Sequence, residues 1–229
     1  MASEKNIIQL HMESNTTMNK PIPAMTSPAV HSYLKKIGGE WTGCGNVLEL
    51  GCWLGGSLIP LLEGLNEAGY NRWVWCYDRW KANIEQVKKA QLGGVSIIPE
   101  QDLRPLFLDN VTPVYDKVYA IKGSMPDTLQ AYIGYPIEIC ILDAPKQEPV
   151  FTESIRRLSP SWLPGVTILG LLDYKFYERH TGRKRFLFEA PVRFMDKYGD
   201  CFEIIKEWED ECPVFFKYIK ELKFDRNGN

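Results

Sequence analysis

The sequence predicts an α/β fold in which helices cover both faces of a mostly parallel sheet. Short apolar runs that suit strands alternate with segments of helical periodicity along most of the 229 residues. Such alternation requires right-handed crossovers and therefore parallel strands. Only about five residues separate the last two apolar runs, which suits a hairpin and makes the last strand antiparallel. These observations predict a doubly wound, Rossmann-like sheet of seven strands with an antiparallel last strand.

Each predicted element has its own local signal. A helix over 28–37 follows the N-cap signal Ser27-Pro28 and ends at a glycine pair. The run 46–50 is apolar and stops at a glycine, and leucines recur at helical spacing over 57–68. The same criteria predict further strands at 73–77, 117–122, 137–142, 166–172, 201–207 and 213–220, and further helices at 80–92, 126–133, 148–158 and 183–198.

The chain divides into a short arm and one domain. Residues 1–27 are mostly polar and end in a proline-containing stretch, so we expect a flexible N-terminal arm. Residues 28–229 carry the strand–helix alternation and form a single domain. Segment 93–116 is long for a helix-to-strand connection and contains three prolines, so it is either a lid or an irregular insertion.

Composition excludes several classes of protein. Hydrophobic residues make up 45% of the chain and charged residues 24%, as in an ordinary globular protein. The net charge of −2 argues against a nucleic-acid-binding module but allows a small anionic substrate. Without a signal-like start or a membrane-length apolar run, we expect a cytoplasmic protein with no membrane partner. Six cysteines without a C-x-x-C pair indicate reduced thiols.

Five predicted strands end in a glycine or an acid. These residues are Gly51, Asp78, Gly123, Asp143 and Asp173. In an open parallel sheet, ligands bind in the crevice at the carboxyl ends of the strands. Three carboxylates and two glycines on one edge therefore predict a ligand site there.

The first strand end is rich in glycine. Residues 49–57 read ELGCWLGGS, and three glycines allow a tight turn and a close approach of the backbone to a ligand. The stretch is not a dinucleotide fingerprint, because Trp53 stands where the middle glycine would meet a pyrophosphate. It also lacks the Gly-Lys-Ser/Thr of a P-loop. A bulky indole there still permits a ligand without phosphates; the alternative is a tight turn without a ligand.

The second strand ends in Tyr77-Asp78. An acid at this position can accept hydrogen bonds from both ribose hydroxyls of a nucleotide. It can also cap a helix that begins near Trp80, and taken alone the sequence favours the cap.

These motifs form an ordered set that resembles the class I S-adenosylmethionine (SAM) dependent methyltransferases. The later motifs are similar to the macrocin O-methyltransferase family of sugar and small-molecule O-methyltransferases. They are Ile121-Lys-Gly123-Ser-Met-Pro-Asp-Thr128-Leu, Ile141-Leu-Asp143-Ala, and the run from Leu163-Pro-Gly165 to Leu172-Asp173-Tyr174. The resemblance spans about 46–222 and implies the class I methyltransferase fold.

The resemblance also implies roles for single residues. The cofactor-binding set would be Glu49, Gly51, Gly55, Gly56, Ser57, Asp78, Gly123 and Ser124. Within it, the glycines would line the methionine and ribose part of SAM, Asp78 would bind the ribose, and Gly123-Ser124 would lie beside the adenine. Asp143 would face the reacting methyl group.

A magnesium site is implied at the next two strand ends. In metal-dependent relatives, acids at the ends of strands four and five hold Mg²⁺, and Asp143 and Asp173 stand at those places. Those enzymes often follow the second acid with Asn or Asp, whereas this chain has Tyr174. Two carboxylates with waters can still hold Mg²⁺, which usually keeps several waters.

Methyl transfer to a hydroxyl needs alignment and a proton acceptor. Without a metal, the candidate catalytic bases are Asp143 and His180, which lies in the loop after Asp173. Residues 178–185 of that loop are strongly basic at the start of a predicted helix, where cations oppose the helix dipole. They form either a site for an anionic group of the acceptor or a solvated surface.

The sequence therefore predicts a SAM-dependent enzyme that methylates a hydroxyl of a small molecule, such as a sugar. One alternative is a non-catalytic SAM-binding or scaffolding protein of the same fold. Another is an N-methyltransferase. Nucleic-acid amino-methylating enzymes of this fold usually carry Asn/Asp-Pro-Pro-aromatic after the fourth strand, and Asp143-Ala-Pro-Lys departs from that pattern.

Overall fold

Seven strands form one sheet in the computed structural model, which describes residues 22–224. The strands are β1 (Asn46–Leu50), β2 (Val74–Asp78), β3 (Val118–Lys122), β4 (Ile137–Leu142), β5 (Ile168–Leu171), β6 (Phe202–Glu207) and β7 (Val214–Tyr218). Their spatial order is β3-β2-β1-β4-β5-β7-β6. The first five strands run parallel, and β7 lies antiparallel between β5 and β6. The predicted fold class is thus confirmed.

Helices cover both faces of this sheet. They are α1 (Pro28–Gly39), α2 (Leu58–Glu67), α3 (Ile84–Leu92), α4 (Arg104–Val111), α5 (Val150–Leu158), α6 (Gly182–Phe188) and α7 (Ala190–Tyr198). Successive side chains of a strand point to opposite faces, so Val47 joins the core under α1, α2 and α4 while Leu48 joins the core under α5 and α7. All five residues of β1 are buried, as expected of a strand that has helices on both faces.

Four predicted segments differ from the structure. The helix expected from residue 80 begins at Ile84, because Asn83 and Gln86 form a capping box. Segment 93–116 was expected to be a lid or an irregular insertion, but it contains α4, whose Phe107 is buried in the core. The helix expected over 183–198 is divided at Glu189, because Pro191 cannot donate the required hydrogen bond. The helix expected over 126–133 is a shorter 3₁₀ segment, Asp127–Ala131.

The register brings the predicted strand ends to one edge. Leu50 of β1 lies beside Tyr77 of β2 and beside Leu142 of β4. Leu142 in turn lies beside Leu171 of β5, and Asp78 lies beside Lys122 of β3. The residues that follow these positions therefore form a continuous row at the carboxyl edge of the sheet.

Part of the predicted N-terminal arm lies against this domain. Pro23 is buried, whereas the prediction of a flexible arm otherwise falls on residues 1–21, which lie outside the described residues. The six cysteines are free thiols. Within 22–224, no helix combines the length and the apolar character needed to cross a membrane.

Candidate active site

The glycine loop, residues 49–57, joins β1 to α2 and leaves no room for side chains at its glycines. A Cβ atom on Gly51 would lie 2.5 Å from the Cβ of Ala144, and one on Gly55 would lie 2.6 Å from Cγ1 of Val111. A Cβ atom on Gly56 would lie 2.7 Å from the Cβ of Ala24. Gly51 and Gly55 also have φ angles of +94° and +90°. Close packing against the protein thus explains all three glycines, with or without a ligand.

Asp78 ties the glycine loop to the segment after β2. Its Oδ2 accepts a hydrogen bond of 2.9 Å from the Trp53 amide, and its Oδ1 accepts one of 2.7 Å from the Trp80 amide. Trp53 and Trp80 have φ angles of 45° and 42°, a left-handed conformation that disfavours bulky side chains. Asp78 does not cap α3, because the N-cap residue of that helix is Asn83. Its carboxylate oxygens keep further lone pairs for ligand hydroxyls.

Glu49 is a buried acid behind the same loop. It is 1% exposed, and its Oε1 accepts a hydrogen bond of 2.6 Å from the Ser57 hydroxyl. Its Oε2 is buried and has no hydrogen-bond partner among the described residues. Burial raises the pKa of Glu49 to about 7, and the nearby Asp78 carboxylate adds to the rise. A buried acceptor without a donor is costly unless a ligand supplies one.

Gly123 and Ser124 follow β3 next to Asp78. The Gly123 amide donates a hydrogen bond of 3.0 Å to the main-chain oxygen of Asp78. The Ser124 carbonyl accepts from the Thr128 amide at 3.1 Å, which turns the chain into the 3₁₀ segment. Both predicted cofactor contacts therefore stand beside Asp78 on the same edge.

Asp143 and Asp173 meet at the ends of β4 and β5. Burial and the neighbouring Asp173 raise the pKa of Asp143 well above its ordinary value, and Lys146 opposes that rise. The Lys146 ammonium forms an ion pair with Oδ2 of Asp173. The same ammonium lies 4.5 Å from the centre of the Phe176 ring. The two predicted acids are thus together, with a cation beside them.

The donor set at this pair does not fit a protein-bound magnesium ion. Among residues 22–224, no group of three or more His, Cys, Asp or Glu side chains could hold a metal. The Lys146 ammonium already neutralises Asp173. Tyr174, at the position where the relatives supply a third ligand, directs its ring to Phe216 at 5.4 Å. The magnesium expectation therefore finds no support in this arrangement of side chains.

His180 lies in an aromatic cluster beside the acid pair. Its ring centre is 4.8 Å from that of Phe176 and 4.9 Å from that of Phe188. Its Nε2 is buried without a hydrogen-bond partner among the described residues. Phe176 contacts both His180 and Lys146, so the histidine is one side chain removed from the Lys146–Asp173 pair.

Lys146 is a site residue that the sequence reasoning missed. It stands three residues after Asp143, in the loop that follows a strand end on the ligand edge. A cation in that position balances the charge of two adjacent carboxylates. The sequence therefore already indicated a cation near the two carboxylates, but only the structure shows that Lys146 pairs with Asp173.

Solved structures of similar architecture support this description of the fold. The methyltransferase PaMTH1 of Podospora anserina, bound to S-adenosylhomocysteine (SAH), has a TM-score of 0.55 and 14% identity, covering 86% of this chain and 80% of that chain. An O-methyltransferase of Bacillus cereus in complex with SAH has a TM-score of 0.55 and 17% identity, covering 88% and 85%. The O-methyltransferase TomG of Streptomyces achromogenes in complex with SAM has a TM-score of 0.54 and 14% identity, covering 86% and 82%.

No protein-family model and no curated protein sequence matches the chain. The similarity to the solved structures is therefore one of architecture, at identities of 12% to 18%. The mostly parallel seven-stranded sheet, with its antiparallel last strand and flanking helices, agrees with those structures. The chain has the class I SAM-dependent methyltransferase fold.

Proposed function

We propose that this protein is a SAM-dependent O-methyltransferase that acts on a hydroxyl group of a small molecule. The observation that carries the proposal is the carboxyl edge of the sheet, where Glu49 and Asp78 lie next to the Asp143–Asp173 pair. The first two acids suit the cofactor and the second two suit the acceptor. The solved O-methyltransferases of this architecture that contain SAM or SAH support the choice of cofactor.

The residues at the glycine loop fit SAM. Glu49 Oε2 is a buried acceptor without a donor, which suits the ammonium of the methionine part. The free lone pairs of Asp78 suit the ribose hydroxyls, and Gly123 and Ser124, which follow β3 next to Asp78, would lie beside the base. When bound, SAM supplies an electrophilic methyl group on a sulfonium. Gly51, Gly55, Gly56 and Ser57 would hold the loop that faces it.

Asp143 is the group that we assign to the acceptor proton. A carboxyl whose pKa is raised by desolvation is a stronger base once ionised than an ordinary carboxyl. Lys146 holds positive charge beside the pair and limits the repulsion between the two acids. Asp143 would accept the proton as the hydroxyl oxygen forms its new bond to carbon. His180 remains a second candidate, because its unpartnered Nε2 lies within the adjoining aromatic cluster.

No step in this proposal passes through a metal, because the carboxylates and Lys146 do not fit one. The sequence expectation of magnesium is tested by assaying turnover in EDTA with protein shown to be free of metal. We expect full activity. Activity that disappears in EDTA and returns with Mg²⁺ would restore the two-aspartate metal site.

The chemistry is tested with methyl-labelled SAM and a panel of acceptors. Matched pairs that differ only in hydroxyl or amine distinguish O-methylation from N-methylation. We expect label on the hydroxyl compounds together with SAH release. SAH binding without turnover on the whole panel would favour a non-catalytic SAM-binding protein. A cytoplasmic location and the lack of nucleic-acid and membrane partners remain predictions from composition.

A further inference from the structure

Residues 52–55 of the glycine loop form a tight turn whose backbone is strained. The Gly55 amide donates a hydrogen bond of 2.8 Å to the Cys52 carbonyl, which closes a β-turn. Trp53, the second residue of this turn, has a φ angle of 45°. A turn position with positive φ is normally taken by glycine, asparagine or aspartate, because a bulky side chain makes it costly. Such strain persists only where the surrounding structure enforces it.

Side chains from outside the loop hold the main chain of this turn. The Trp80 indole Nε1 donates a hydrogen bond of 3.0 Å to the Trp53 carbonyl. The Asn110 side-chain amide donates one of 2.9 Å to the Leu54 carbonyl. The Asp78 carboxylate accepts from the Trp53 amide at 2.9 Å. Three main-chain polar groups of one strained turn are therefore fixed by three different side chains.

The Trp80 and Asn110 donors are themselves held by the core. Trp80 is fully buried, and its ring centre lies 4.9 Å from that of Phe107 in α4. Asn110 follows Phe107 by three residues, so both side chains stand on one side of that helix. The same helix packs directly on the loop, since a Cβ atom on Gly55 would lie 2.6 Å from Cγ1 of Val111. Helix α4 therefore supports the turn.

Two similar hydrogen bonds lie at the opposite edge of the sheet. The Trp41 indole donates one of 2.9 Å to the carbonyl of Gly45, which stands directly before β1. The Asn66 side chain donates one of 2.6 Å to the carbonyl of Val114, which stands before β3. These bonds join the same groups as those of Trp80 and Asn110, but they do not involve the glycine loop.

We propose that Trp80 and Asn110 are positioning residues of the cofactor site. They hold the 52–55 turn in its strained conformation before the cofactor arrives, so that SAM binds a loop that is already formed. Each acts through the backbone of the turn and not by contact with the cofactor. A preformed loop avoids the entropic cost of ordering it on binding. The inference rests on the proposed methyltransferase function, because it assigns the residues that shape the cofactor site of that function.

SAH affinity of the full chain, measured by calorimetry, tests the two residues. Asn110→Leu and Trp80→Phe each remove one donor and should lower the fraction of protein in which the turn is formed. The apparent Kd for SAH should then rise by roughly two- to tenfold, the loss expected for one hydrogen bond.

The matched controls are Asn66→Leu and Trp41→Phe, which remove the same kinds of bond at the other edge of the sheet. They should lower the melting temperature and leave the Kd for SAH unchanged.

Hydrogen exchange without ligand gives a second measurement that does not depend on methyl transfer. The amides of Trp53 and Gly55, which donate to Asp78 and Cys52, should exchange slowly in the wild type before SAH is added. They should exchange faster in Asn110→Leu and Trp80→Phe, and SAH should restore their protection. Wild-type amides that become protected only after SAH is added would show that the cofactor orders the loop, which contradicts the proposal.

The affinities separate failure of this inference from failure of the proposed function. If the wild type binds SAH and neither variant binds it more weakly, or the controls lose as much affinity, Trp80 and Asn110 do not position the site. If Trp80→Phe does not fold, Asn110→Leu decides, because Asn110 is only half-buried. If the wild type itself does not bind SAH, the proposed function is wrong and this inference with it.

Discussion

The cofactor side and the acceptor side of the candidate active site are built in different ways. On the cofactor side, at the ends of β1, β2 and β3, main-chain amides of Trp53 and Trp80 hold Asp78. On the acceptor side, at the ends of β4 and β5, the contacts are between side chains, as in the Lys146–Asp173 ion pair. The chain that follows continues into exposed, basic α6.

This difference suits the two tasks of binding the cofactor and binding the acceptor. An invariant cofactor is best met by groups that the backbone fixes, because no side-chain motion then competes with binding. An acceptor varies among enzymes of one fold, and its site is set by loops and side chains on a rigid scaffold. Mutations on the two sides should therefore change different measurements.

The largest effect of a substitution is expected on turnover, for a residue of the acceptor side. Asp143→Asn removes the proposed proton acceptor and should reduce turnover by roughly 10²- to 10⁴-fold. SAH affinity should change little, because the proposed role of Asp143 is toward the acceptor and not toward the cofactor. Asp109→Asn, an exposed acid on α4, is the matched control. An Asp143→Asn enzyme with normal turnover and weakened SAH binding would reverse the assignment of the two sides.

The assignment of Asp143 as the base also predicts how kcat/KM changes with pH. A base must be ionised to act, and the pKa of Asp143 is raised by burial and by Asp173. The value of kcat/KM should therefore increase with pH through a pKa well above that of an ordinary aspartate. A profile that stays flat from acidic to neutral pH would contradict Asp143 as the base.

The next largest effect concerns the free energy of unfolding and involves Glu49, on the cofactor side. The folded-state pKa of Glu49 is raised from 4.5 to about 7, so its contribution to stability is complete at low pH and is lost as pH rises through about 7. The loss at pH 8 is roughly 3 kcal/mol. Glu49→Gln stays neutral and should unfold at higher urea than the wild type at pH 8, but not near pH 4.5.

A control separates this effect from a general change of charge. Glu203→Gln alters an exposed acid on β6 that forms no ion pair within the described chain, and it should shift neither measurement. If the wild type and Glu49→Gln show the same pH dependence of unfolding, then Glu49 is not the buried acid described above.

A smaller effect is expected for Asp78. Asp78→Ala removes both the predicted ribose contacts and the acceptor for the Trp53 and Trp80 amides. SAH affinity should fall by about 1.5–3 kcal/mol, and the melting temperature should fall as well. Asp78→Asn should lose less of both, because its amide oxygen still accepts. If the melting temperature falls while the folded protein binds SAH as tightly as the wild type, Asp78 has a structural role and does not contact the ribose.

The cofactor side could be predicted from the sequence better than the acceptor side, for a physical reason. Strand ends follow from apolar runs that stop at glycine or acid, so local patterns alone place Gly51, Asp78 and Gly123 on one edge. The ion pair of Lys146 depends on how two loops meet, which no local pattern records. Helix α4 was hidden because Pro99, Pro105 and Pro113 are typical of loops, although Pro105 stands in the first turn, where proline is tolerated.

The central claim is that the carboxyl edge of the sheet binds SAM, and SAH binding tests it most directly. At a hundredfold excess over Kd, SAH should stabilise the fold by about 2.7 kcal/mol. For a domain of this length, that is a rise of roughly 5–11 °C in melting temperature. NAD at the same concentration should give no rise, because the glycine loop has Trp53 where a dinucleotide fingerprint has its middle glycine. A larger rise with NAD than with SAH, or none with SAH, would contradict the claim.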